Sequence, residues 1–191
     1  HAVNIAQCVK DAGLKNGRIG VASLATLPTE IYLALNKAVP EAEFVDVIDM
    51  VNDLRRAKSE EEIIFLKRSA FIADVGMAAL VEYVRPGVSI NECIKVVDNG
   101  MVAAGATANR FLSIGGGNFP DQMEIDARES PYRFQLGDIV INKISSAYKG
   151  YFTQLSCPIS LGKEANDAFK FLVKVNEEVH HQLLSNYRQG T

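Results

Sequence analysis

The spacing of apolar and polar residues changes along this chain, and each pattern predicts its own kind of element. Residues 4–14 carry apolar side chains at helical spacing and stop at Gly13, and Arg18-Ile19-Gly20-Val21-Ala22 is then a short apolar run of the kind buried in a parallel sheet. A second helical pattern occupies 28–38, Pro40 ends it, and 43–47 alternates as a further strand. This β-α-β rhythm predicts an α/β unit closing near Asp53. About 50 residues enclose little core for a free-standing domain of that kind, so the segment reads as the tail of a larger amino-terminal domain.

Lys58-Ser59-Glu60-Glu61-Glu62 predicts a helix start, because the Ser59 hydroxyl suits the free amide three residues on while Glu62 reaches back to the amide of Ser59. Acidic side chains in that first turn also suit the positive end of the helix dipole. Ile63, Leu66, Ala70, Ala73, Met77, Leu80 and Val84 keep a helical period until Pro86-Gly87 breaks it. Ser89-Ile90-Asn91-Glu92 repeats the capping box and opens a second helix that runs toward Gly105.

From Arg110 the pattern becomes strand-like. Residues 111–114, 139–144 and 150–161 read as strands, and the last two predict a hairpin with its turn at 147–150. Between the first two lies a long loop, 115–135, with Gly115-Gly116-Gly117, Pro120 and Pro131. Loops of that length often bind ligands or act as lids, but the glycine run by itself predicts only a flexible turn. Helical periodicity returns over 164–187, with Ala168, Phe171, Leu172, Val175, Val179 and Leu183 on one face. The ending Tyr187-Arg188-Gln189-Gly190-Thr191 echoes Val84-Arg85-Pro86-Gly87-Val88, with Arg85 falling on Arg188 and Gly87 on Gly190 at a constant offset. Two long helices closed by the same break predict an internal duplication of a helix-helix-strand-hairpin unit.

Composition narrows the possible partners. A net charge of −3, from 20 basic and 23 acidic side chains without a long run of either sign, provides no footprint for nucleic acid or an anionic membrane. Residues 71–84 form one of the longest apolar stretches, yet Asp74 and Glu82 interrupt it, and no basic region followed by an apolar block leads the chain; neither a membrane span nor a signal peptide is expected. His1 in place of an initiator methionine predicts that the natural start lies upstream. Cys8, Cys93 and Cys157 are far apart and lack metal or disulfide spacing, which predicts a reducing cytoplasm.

Two stretches carry a resemblance. Leu54-Arg55-Arg56-Ala57-Lys58-Ser59-Glu60-Glu61-Glu62-Ile63 is similar to the linker and helix start that join the two domains in creatinase, prolidase and aminopeptidase P. Gly137-Asp138-Ile139-Val140-Ile141-Asn142, followed by Gly150-Tyr151-Phe152, resembles the glycine-aspartate strand and hairpin of the same family. With Asn16-Gly17-Arg18-Ile19-Gly20-Val21 upstream, the resemblance covers nearly the whole chain. It implies an α/β (α+β) protein in which 1–53 is the C-terminal part of an amino-terminal α/β domain and 54–191 is the first half of a pita-bread catalytic domain. Most of the amino-terminal domain and the second half would then be missing. The surface left uncovered would favour a homodimer.

The resemblance also implies a chemistry. The family's peptidases hydrolyse peptide bonds, often beside proline, with two divalent ions that activate a bridging water. Two such ions close together need bridging carboxylates to offset their repulsion. Aligned on Gly137-Asp138 and Gly150-Tyr151, the first two metal-binding aspartates of the family fall on Lys143 and Gln154, and neither can do that work. Asp138 belongs to the turn before the strand and is no substitute. The remaining ligand positions, a histidine and two glutamates, would fall beyond Thr191.

The histidine that the family commonly carries before the Gly-Asp strand has no counterpart between Gly115 and Gly137, where the polar candidates are Asp121, Glu124, Asp126, Arg128 and Glu129. Creatinase itself acts without metal on a small C–N substrate, and its pocket tyrosine and glutamate fall here on Phe152 and Ser156. The implied site has Lys143 and Gln154 as catalytic residues facing each other across the hairpin, with Phe152, Ser156 and Asp126 binding a small-molecule or peptide substrate. It uses neither metal nor cofactor. Two alternatives stand beside it: an inactive pita-bread protein that binds a peptide or protein, and a dinuclear metallo-aminopeptidase or prolidase whose ligands lie a residue or two from this alignment.

Cys157 lies near this pocket with no histidine to activate it, and a buried structural cysteine is expected. His180 and His181 are adjacent on a helix, about 100° apart around its axis, and read as a solvated or partner-facing pair.

Overall fold

The computed structural model describes residues 2–107, 111–124 and 130–187. The polypeptide divides into two compact units, His1–Ser59 and Glu60–Thr191.

In the first unit, helix α1 (Ala2–Asp11) and strand β1 (Arg18–Val21) are followed by a 3-10 turn at Leu24–Thr26, helix α2 (Thr29–Ala38) and strand β2 (Glu43–Asp46). The two strands pair in parallel from Arg18 opposite Glu43 to Val21 opposite Asp46, so α2 serves as the crossover of a β-α-β unit. Apolar positions at helical spacing on α1 and α2 bury Ala6 and Leu35 where the helices meet. Asp46 fastens the strand ends, with one carboxyl oxygen accepting from the Leu24 amide and the other from the Ile48 amide, each at 2.8 Å. A further helix, α3 (Ile48–Arg56), carries the unit past Asp53. The helix is short, and its Met50 and Leu54 are exposed.

The second unit begins with α4 (Glu60–Tyr83) and α5 (Ile90–Ala103), the two helices that the sequence predicts. Ile72 and Leu80 of α4 meet Cys93, Val97 and Met101 of α5, and this layer covers Leu112, Ile114, Val140 and Ile144 of a sheet. At Ser89 both halves of the capping box form: the hydroxyl accepts from the Glu92 amide at 3.2 Å, and the Ser89 amide donates to Glu92 Oε2 at 2.8 Å. The Ser89 hydroxyl and amide, with Arg133 beside them, hold the Glu92 carboxyl below its ordinary range. A value depressed in the folded state adds stability above the unfolded value, and that stability disappears as pH falls through the folded one. Glu92→Gln is therefore expected to lower the thermal midpoint at about pH 7, and the gap from wild type should close toward about pH 3. A gap of constant size across that range would show that the carboxylate charge contributes nothing.

The sheet runs in the order β4 (Gln122–Glu124), β3 (Phe111–Asn118), β5 (Ile139–Tyr148), β6 (Tyr151–Leu155), all antiparallel, with β7 (Ile159–Ser160) also on β5. Here two expectations fail. The glycine run is no flexible turn: Gly115, Gly116 and Gly117 are buried within β3, paired to Ile141, Val140 and Ile139. At Gly116 (φ +151°) an added Cβ would stand 2.3 Å from the Ile139 carbonyl oxygen and 2.9 Å from Phe134 Cε1, so only glycine allows the strands and the ring this close. The predicted strand over 150–161 is in fact β6 and β7, which share one register against β5 but are interrupted at Ser156-Cys157-Pro158. Pro158 has no amide hydrogen for a ladder. Across the gap the Asn142 side chain takes over, accepting from the Cys157 amide at 3.1 Å and donating to the Cys157 carbonyl.

The β5–β6 turn is the two residues Lys149-Gly150, with φ of 49° and 87°, the left-handed pair that a tight hairpin requires. Helix α6 (Asp167–Asn186) begins after the Asn166 cap rather than at Glu164. Phe171 and Leu183 on its predicted apolar face are 65% and 64% exposed. Arg188 and Gly190, on which the internal echo rests, lie outside the described residues. Among the described residues no helix is long and apolar enough to cross a membrane.

Candidate functional site

Alternation along β5 and β6 sorts the hairpin into two faces. The inner face, toward α4, carries Ser146 and Thr153, and their hydroxyls join Ser69 of the helix. Ser69 Oγ lies 2.8 Å from Ser146 Oγ, and Thr153 Oγ1 donates to Ser69 Oγ at 3.0 Å. Ser69 and Ser146 are wholly buried, and no buried side-chain nitrogen or oxygen among the described residues lacks a hydrogen-bond partner. Tyr151 at the turn donates to Glu62 Oε1 at 3.0 Å. These three contacts lock the hairpin to α4. None was legible in sequence, although hydroxyls at 146 and 153, in phase with apolar Ile144 and Leu155, were a signal of a buried polar contact.

Lys143 and Gln154 are on the opposite face, away from α4 and α5, and both are exposed. They do not sit directly across from one another as expected. The two-residue turn sets Gln154 opposite Ser145 and Phe152 opposite Ala147, so Lys143 is the diagonal neighbour of Gln154. Ser145 Oγ donates to Gln154 Oε1 at 3.2 Å. That bond occupies the amide oxygen and leaves the amide NH₂ as the group Gln154 presents. The Lys143 ammonium lies 5.4 Å from the centroid of the Phe111 ring, a cation–π contact across β3 and β5. Phe111 and Phe152 flank this polar centre, about half exposed.

The other sequence candidates are less central. The Ser156 hydroxyl donates to the Asn142 carbonyl and is taken up by the backbone. Asp126, like Arg128 and Glu129, lies outside the described residues. Cys157 is exposed, not buried as expected, because the break before Pro158 takes it out of the ladder; the buried thiol is Cys93, which burial first and Glu92 second push up to about 12. His180 and His181 are exposed on α6 with ring centroids 6.5 Å apart. Asp138 is 3% exposed and holds the turn before β5, with Oδ2 accepting from the Tyr132 hydroxyl at 2.6 Å and the Gln135 amide at 2.7 Å.

Residues 65–191 match the sequence profile of the metallopeptidase family M24. The chain belongs to that family. It is 28% identical to the creatinase of Bacillus sp. (strain B-0618), in an alignment covering 97% of this chain and 46% of the creatinase. The solved Xaa-Pro dipeptidase from Bacillus anthracis is 30% identical and superposes with a TM-score of 0.71 over 88% of this chain and 46% of its own. A prolidase from Thermococcus sibiricus, at 19% identity, matches the fold with a TM-score of 0.78 over 100% of this chain and 51% of its own. The chain thus has the mixed α/β pita-bread architecture of M24 proteins and spans about half the length of these relatives.

The family's name implies metal, but the side chains at 143 and 154 do not fit it. An ammonium repels a dication, and a neutral amide cannot bridge two of them. Among the described residues of this M24 chain, no three histidine, cysteine, aspartate or glutamate side chains converge to hold an ion.

Proposed function

We propose that this chain contributes part of the active site of a metal-independent, creatinase-like hydrolase that cleaves a C–N bond in a small substrate. The observation that carries the reading is the pair Lys143 and Gln154, which stand on the open sheet face of an M24 hairpin at the positions where the family resemblance expects two metal-binding aspartates. In such a reaction water adds across the C–N bond, its oxygen going to the carbon and a proton to the departing nitrogen. A lysine ammonium and an amide NH₂ can hold an anionic group of the substrate without help from a metal.

Turnover of a panel of N-acyl and N-carbamoyl amino acids and Xaa-Pro dipeptides, measured before and after exhaustive chelation, tests this. Hydrolysis unchanged by chelation is the expected result. Loss of activity on chelation, restored by manganese or cobalt, would instead make it a metallopeptidase of the ordinary M24 kind.

A second reading, an inactive M24 domain that binds a peptide or protein, is favoured by the exposed ring of Phe111 beside Lys143 and that of Phe152 on the same sheet face. Binding of the same panel without any turnover would decide for it.

A further inference from the structure

Strands β3, β5 and β6 contain no aspartate or glutamate, and their only charged side chain is Lys143. One diagonal step away, Gln154 has its oxygen engaged by Ser145 and its NH₂ open. Diagonal neighbours in an antiparallel pair stand about 7 Å apart, a separation that a lysine and a glutamine side chain can close around one small group. The sheet face therefore presents two donors one diagonal step apart, one of them charged, with the half-exposed rings of Phe111 and Phe152 on the same face.

From this geometry we infer that Lys143 and Gln154 form the anchor for a substrate carboxylate, with the Phe111 and Phe152 rings bounding the uncharged remainder. The inference deepens the hydrolase reading and, as to which group is the substrate, rests on it. A standing carboxylate suits the pair better than a transient oxyanion. Oxyanion stabilisation needs donors fixed before the reaction, whereas Lys143 is exposed on a flexible stem. A carboxylate also suits it better than a phosphate dianion, which calls for more than one cation or a cradle of backbone amides. The positive charge that excludes a metal ion from this position thus becomes the recognition element for an acidic substrate.

The probes are N-acetylglycine and its neutral counterpart N-acetylglycinamide, titrated by calorimetry into the wild-type protein and into Lys143→Met and Lys143→Arg. A charged hydrogen bond gives the wild type a preference for the acid of roughly tenfold or more, weakened by added salt. Lys143→Met is expected to bind the two probes equally, and Lys143→Arg to retain much of the preference. Lys143 is exposed, so circular dichroism should show both variants folded. Equal binding of both probes by the wild type, the same preference in Lys143→Met, or no saturable binding of either probe would overturn the anchor. Binding is read without turnover: a protein that keeps the preference but hydrolyses nothing retains the anchor and loses the hydrolase reading. One that hydrolyses neutral amides as well as acids, with Lys143→Met unaffected, does the reverse.

Discussion

Replacing Gly116 with alanine is expected to destabilise the second unit by about 3 kcal/mol, enough to shift a urea midpoint clearly. The new Cβ would sit 2.3 Å from a backbone oxygen of β5 and 3.0 Å from the Val140 Cα, and neither can swing aside as the tip of a side chain would. Relief requires β3 and β5 to separate or Phe134, which is 1% exposed, to leave its place in the core. Gly87→Ala is the control. Gly87 has φ +92° with nothing within 4 Å of an added Cβ, so only the left-handed backbone cost of about 1 kcal/mol applies. If Gly116→Ala loses no more stability than Gly87→Ala, β3 is not held that close to its neighbour.

Asp138→Ala is the second large effect, again about 3 kcal/mol. One carboxyl oxygen satisfies both the Tyr132 hydroxyl and the Gln135 amide in a place that is nearly closed to water. Removing it takes away the acceptor that both donors share and loosens the turn that feeds β5, the strand carrying Lys143. Tyr132→Phe removes one of these bonds together with its donor and is expected to cost about 1 kcal/mol. Denaturant unfolding of both variants checks the order. An Asp138→Ala protein of full stability that had nonetheless lost turnover would mean that Asp138 serves the reaction, against its reading as a turn residue.

Chelation-insensitive turnover and the carboxylate preference of Lys143 bear on the same sheet face from different directions. The first asks whether the chemistry proceeds without metal. The second asks what chemical group binds at Lys143 and Gln154. Either result can hold without the other.

What the sequence determined by itself is local. The α4 and α5 helices follow from apolar spacing, and Ser89 and Glu92 form their capping box from neighbouring residues. The hairpin turn at Lys149-Gly150 is equally local, since glycine there admits the positive φ that joins two strands in two residues. The choice of Lys143 and Gln154 as candidates also came from sequence alone, because it depends only on which residue type stands at a given distance from Gly137 and Gly150. Only the tertiary structure decided the rest. A glycine run is compatible with a loose loop or a tightly packed strand until Phe134 and the β5 backbone close on Gly116, and those partners come from other parts of the chain. Likewise Lys143 and Gln154 became diagonal neighbours through the hairpin register, and Cys157 was turned outward by the break at Pro158. Ser69, Ser146 and Thr153 are far apart in sequence and meet only when α4 lies on the sheet, where burial without water obliges each hydroxyl to find another.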